Sequence, residues 1–177
     1  FHGYYDITFK SNILISSKDK TELMELLCNK MNKDIKLKQI FSGNIDGFSS
    51  EMFHQKCGNK LNTVSLIMNE FDTIFGGYTT KPWLQDLHYQ YDKKAFLFQL
   101  KPNIKIFKPT AKNGKRAIFG NSIHMCNFDY DLIIWGNCND NECSYSRGCS
   151  YNFKNGNELV GGFSKTNTQA FKVKDIE

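Results

Sequence analysis

Between Ser16 and Asn32 the apolar residues Leu23, Met24, Leu27 and Met31 return every three or four positions, which places them on one stripe of a helix. Ser16 or Ser17 is positioned to cap its start. A second, shorter helix is predicted over 49–56, with Ser49 as N-cap, Glu51 at the positive helix end and Phe48 stapled onto Phe53. After Cys57 the texture changes to short β-branched and aromatic runs separated by Gly, Asn and Pro. Strands are predicted near 36–42, 62–69, 73–79, 95–101, 104–108, 116–120, 130–136, 158–163 and 170–176, and a further Ser-Tyr-rich strand follows the polar turn after Cys138. Asn113-Gly114 and Asn155-Gly156 suit tight turns next to strands. Each sheet must bury one face, so this pattern predicts an α+β, mainly β fold: two stacked antiparallel sheets, a β-sandwich, flanked by short helices.

Composition narrows the class. A chain of 177 residues with 15 Phe suits one domain with a large core, and no repeat or low-complexity segment divides it. Beginning at Phe1 without a Met, it reads as an excised domain or the ordered part of a longer chain. No apolar run reaches the roughly 18 residues a membrane span needs, and no signal peptide is visible, so a cytoplasmic location is expected. Six cysteines in a chain able to build its own core read as free thiols rather than a disulfide framework.

The net charge of +5 matters less than where it lies. From Lys93 to Phe128 there are eight basic side chains and no Asp or Glu. Lys101, Lys105, Lys108, Lys112, Lys115 and Arg116 are the candidate partner-binding residues within it. The plain alternative is the wet face of two strands whose lysines protect a sheet edge. Nucleic acid is not an expected partner, because only two of the 23 basic residues are Arg, the better fork for phosphates and bases.

The stretch Asp46-Gly47-Phe48-Ser49-Ser50-Glu51-Met52-Phe53-His54-Gln55-Lys56-Cys57 resembles the signature of the TLDc family, a Gly-Phe-Ser turn leading into a short helix that carries Phe-His and then Cys. In the family's order follow Thr63 to Ile67, Phe75-Gly76-Gly77-Tyr78-Thr79, Pro82-Trp83, and Asp92 with Ala95-Phe96-Leu97-Phe98. Asp131-Leu132, Asn137-Cys138-Asn139, Ser144-Tyr145-Ser146, Ser150-Tyr151 and Phe171 to Glu177 complete the resemblance, which covers nearly the whole chain. The segment 123–130 departs from it: the family approaches the Asp-Leu pair through a glycine-rich loop, and this chain has Ile-His-Met-Cys-Asn-Phe-Asp-Tyr.

The resemblance implies a protein-interaction module that binds the peripheral V-ATPase, with links to oxidation resistance. An alternative is a scaffold component of a large assembly, such as a cytoskeletal or ciliary one, docked through the basic stretch. A lesser alternative is a redox enzyme using Cys57. His54 and Cys57 share a face of the predicted helix, and two readings stay open: an imidazole that activates the thiol, or a buried cysteine beside a histidine satisfied by backbone. Phe75-Gly76-Gly77-Tyr78 lacks the Gly-Lys-Ser/Thr of a phosphate loop and reads as a strand whose bare positions admit a backbone or a ring, with Trp83 the expected neighbour. His124, Cys126, Cys138, Cys143 and Cys149 lack a Cys-x2-Cys knuckle, so neither metal nor cofactor is expected. With no acid-base pair or nucleophile motif, no catalytic residue is assigned. The family's terminal Glu corresponds to Glu177, which needs a donor if it is buried.

Overall fold

The computed structural model describes residues 5–110, 114–142, 144–162 and 168–177. Helix α1, Ser17–Met31, starts where Ser16 Oγ accepts from Asp19 N and stops at Asn32, whose φ of 51° ends the turn. Helix α2, Gly43–Asp46, is a single turn. Helix α3, Ser50–Cys57, is capped by Ser49, whose side chain accepts from Met52 N. Both predicted helices and both predicted caps are present.

Strands β1 (Thr63–Asn69), β2 (Ile74–Thr79), β4 (Phe96–Lys101), β5 (Lys105–Phe107) and β11 (Val173–Ile176) form a five-stranded sheet in the order β11-β1-β2-β4-β5. Strands β7 (His124–Phe128), β8 (Leu132–Trp135), β9 (Ser144–Arg147) and β10 (Thr168–Phe171) form the second sheet, in the order β10-β9-β8-β7. Every pairing is antiparallel, and β3 (Tyr89–Gln90) and β6 (Ile118–Phe119) add a small two-stranded ribbon. The expected sandwich is therefore present. Its larger sheet is buried on both faces: Leu23, Leu26 and Leu27 of α1 pack on Leu66, Tyr78, Phe96 and Phe98, while Ile67, Phe75 and Leu97 join Met125, Phe128, Leu132 and Ile134 between the sheets. All six residues of β2 are consequently buried.

Three local expectations are corrected. Segment 36–42 alternates lysine with apolar residues but is no strand, because β1 is already flanked by β2 and β11. Residues 157–160 form helix α4, Asn157–Val160, rather than the strand expected over 158–163. Asn155 Oδ1 accepts from Asn157 N at 3.1 Å and Glu158 Oε1 from Lys154 N at 3.1 Å, so local side chains fold the segment into a helical turn. The carbonyls of this buried plug are met by Gln99 Nε2, 2.8 Å from Leu159 O, and Asn69 Nδ2, 2.6 Å from Val160 O. The strand expected over 170–176 is two strands in different sheets: β10 pairs with β9, and β11 with β1. The individual segment 123–130 contains strand β7, and all five residues of that strand are buried. Residues 163–167, with Lys112, Asn113 and Cys143, lie outside the described residues.

Candidate interaction surfaces

The Gly-Phe-Ser turn and α3 work as a clamp. Gly47 takes a φ of +87°, which costs a side-chain-bearing residue steric strain, and Phe48 O then accepts from Asn137 N at 2.6 Å. Phe53 sets its ring edge-on to Phe41 at 5.5 Å and lies 6.3 Å from Trp83. Lys56 Nζ pairs with Asp46, tying the helix back to α2. His54 is buried between two carbonyls: Nδ1 lies 3.1 Å from Trp83 O and Nε2 lies 2.9 Å from His124 O. Either tautomer donates to one of these carbonyls, and the ring sits wedged between the loop at Trp83 and β7.

Both ring nitrogens of His54 face carbonyl oxygens rather than the Cys57 thiol. That thiol is 4% exposed, and burial, reinforced by Asp46, pushes it up to about 12. The arrangement matches the backbone-satisfied histidine and buried cysteine. Iodoacetamide at mildly alkaline pH should therefore label half-buried Cys28 while leaving Cys57 intact until the chain unfolds. Peptide mapping that found Cys57 alkylated at the rate of an unstructured thiol would contradict this. The sign of the pH effect follows from the same shift. An unfolded thiol ionises near about 8.5 and the folded one near 12, so raising pH across that window favours unfolding.

A second motif cluster braces the far end of the sandwich. Asp131, fully buried, receives N–H donors from Cys149 (2.6 Å), Ser150 and Tyr151 (3.2 Å), while its own carbonyl accepts from Ser146 Oγ at 2.7 Å. Burial pushes this carboxyl up to about 7 against the pull of the three N–H groups. Ser150 Oγ bonds to Asp129, and Asp129 holds Arg116 at 3.2 Å. Ser144 Oγ accepts from Trp135 N at 3.3 Å, and Tyr145 opposes Ile133 across β8 and β9. Glu177 closes the first sheet by backbone pairing with Leu66, while its carboxylate accepts from Ser11 Oγ (2.6 Å), Asn12 N and Gln39 Nε2 (2.9 Å). The N-terminal segment is thereby tied to the end of the chain.

The glycine pair of β2 is occupied by neighbours other than Trp83. A Cβ on Gly76 would stand 1.9 Å from Ser65 O and 3.0 Å from the ring of Phe98, and one on Gly77 would stand 2.4 Å from the ring of Phe128. Trp83 is one contact further out, 5.2 Å from Phe128 between ring centroids. Its indole nitrogen donates to Thr63 Oγ1 at 3.1 Å.

The basic stretch does not fold into one patch. Lys101 Nζ is 2.6 Å from Asp19, and Arg116 stacks 4.1 Å over Tyr89 while pairing with Asp129. Lys105 and Lys115 are exposed on separate elements, β5 and the 3-10 turn Gly114–Arg116. Lys108 instead enters a cleft with Lys93, Lys94, Lys30 and Lys33. Lys30 and Lys33 come from the end of α1, and nothing in the linear charge pattern joins them to residues some 60 to 80 positions later. Among the described residues no group of three or more His, Cys, Asp or Glu is placed to hold a metal ion, and no helix is long and apolar enough to cross a membrane.

Comparison with curated proteins gave no match. The clamp at 46–57, the glycine pair, the Asp131 brace and the terminal Glu177 all lie within residues 8–177, which match the family model of the TLDc domain, and the chain belongs to that family.

Proposed function

We propose that this TLDc domain is a non-catalytic interaction module that binds peripheral subunits of the V-ATPase and, through them, contributes to oxidative-stress protection. The observation that carries the reading is the use of the family's own motif. Across the matched span, His54, Cys57, Asp131 and Glu177 are buried or half-buried and engaged with the fold, so what the family holds in common here is a rigid shape. A rigid shape with an exposed, basic surface is what a docking module needs, and a peripheral V-ATPase partner places it in the cytoplasm.

The alternative of a cytoskeletal or ciliary scaffold docked through the 93–128 stretch is weakened by the ion pairs at Lys101 and Arg116. These neutralise two of the six side chains on which it relied. The reading is tested by passing the purified peripheral sector of the V-ATPase over the immobilised chain. Retention comparable to that of another V-ATPase-binding TLDc protein is expected. No retention under conditions that hold that control would remove the V-ATPase from the account.

A further inference from the structure

The cleft that gathers Lys30, Lys33, Lys93, Lys94 and Lys108 has a volume of about 720 Å³ and no Asp or Glu among its lining residues. Its lysines arrive from three separate parts of the chain: the last turn of α1 and the residues after its cap, the turn before β4, and the end of β5. Five cations elsewhere, Lys18, Lys56, Lys101, Lys174 and Arg116, have a carboxylate partner. Among the described residues none of the five cleft lysines makes an ion pair.

Two of the cations rest on aromatic rings. Lys30 Nζ sits 5.5 Å over the ring of Phe96, and Lys93 Nζ sits 5.7 Å over Tyr91. The turn that presents Lys93 and Lys94 is built on the buried Asp92. Its carboxylate accepts from Thr79 Oγ1 (2.8 Å), Thr80 N (2.7 Å) and Lys94 N (2.9 Å). Burial, and then the neighbouring ammonium of Lys108, hold Lys30 below the usual lysine range. A half-buried Lys30 beside the exposed Lys108 forms an arrangement that an anion stabilises.

We propose that this cleft is a binding site for a compact polyphosphorylated ligand, several phosphate groups on one small carrier, either free in solution or as a lipid headgroup. Charge density selects phosphate. Each phosphate monoester brings about −1.5 to −2 charges, so three or so neutralise five ammoniums inside one pocket. An extended acidic peptide brings at most one charge per residue, about 3.3 Å of chain, and cannot concentrate as many. Lysine ammoniums act as point charges and ask for no planar, bidentate partner, which suits tetrahedral phosphates in mixed orientations. The volume lies within the roughly 300–1,000 Å³ of small-molecule sites, and Phe96, Ala95 and Tyr78 form an apolar floor for the carrier. The site stands independently of the V-ATPase reading.

The test uses the full chain and inositol hexakisphosphate as probe, by calorimetry at about 0.15 M salt. Saturable binding is expected, weakened at least about tenfold in Lys93→Glu with Lys108→Glu and unchanged in Lys18→Glu with Lys172→Glu, which alter net charge equally at the first turn of α1 and between β10 and β11. Should the first pair fail to fold, neutralising exposed Lys33→Gln with Lys94→Gln gives the same reading. Phosphatidylcholine vesicles doped with phosphatidylinositol bisphosphate, or with phosphatidylserine at equal charge, separate the sources. Binding to the first alone assigns a lipid headgroup, and binding to neither assigns a free polyphosphate. Absence of hexakisphosphate binding, equal weakening by both variant pairs, equal binding to both vesicles, or displacement by polyglutamate at equal charge would each overturn the proposal.

Discussion

Replacing Gly76 with alanine is expected to destabilise the domain by about 3 kcal/mol or more, which lowers the melting temperature by roughly 6–12 °C for a chain of this size. The atom in the way is a main-chain oxygen. Gly76 opposes Leu66 in the β1-β2 register, and the new Cβ would lie 1.9 Å from the carbonyl oxygen of the neighbouring Ser65. A flexible side chain could swing aside, but Ser65 O can retreat only by moving β1, which is paired on its other edge with β11. On the same face Phe98 closes in at 3.0 Å, and Phe98 is itself fully buried under α1. Gly136→Ala is the control, because its Cβ meets nothing nearer than 3.3 Å, at Ser50 N, and should cost under about 1 kcal/mol. Urea unfolding of the two variants decides the matter, and a Gly76→Ala protein as stable as the parent would mean that the β1-β2 pairing is looser than its register implies.

Periodicity and caps made α1 and α3 legible, because each carries a serine at the right offset and one apolar stripe. Strands β1, β2, β4 and β5 were legible from aromatic and β-branched runs between turn residues. Strand β7 was not, since burial on both faces removes the period-2 alternation that marks a strand with one wet side. The split between β10 and β11 was equally hidden: Phe171, Lys172 and Val173 continue an unbroken buried-exposed-buried pattern while the chain passes from one sheet to the other. There Lys172 exchanges hydrogen bonds with Glu70. Motif residues could be found from sequence, where the backbone-satisfied histidine and buried cysteine stood as one of two readings, but the partners could not. That His54 meets two carbonyls rather than the thiol three residues on depends on Trp83 and His124, brought in from 29 and 70 residues away. The lysine cleft shows the same limit, because charge runs are read along the chain and this one is assembled across it.

Asp131→Ala should be comparably severe, about 3–5 kcal/mol, because it strips the acceptor from the N–H groups of Cys149, Ser150 and Tyr151 together. The N–H groups of Ser150 and Tyr151 bond to it in the buried interior, while that of Cys149 bonds at the half-buried edge. Asp131→Asn separates shape from charge. One amide oxygen still accepts, the NH2 group is set against a donor, and an intermediate loss is expected. The two variants should also differ from the parent in their pH dependence. With burial raising Asp131 from the usual carboxylate range to about 7, the folded state holds its proton more tightly than the unfolded chain does. This contribution is fully present below the unfolded pKa near about 3.9 and is lost as pH rises through about 7. The deficit of the Asn variant, which has nothing to titrate there, should therefore be larger at mildly acidic pH than above neutrality. A deficit that stays constant across that range would mean that the carboxyl enters the fold ionised, its charge carried by the three N–H groups alone.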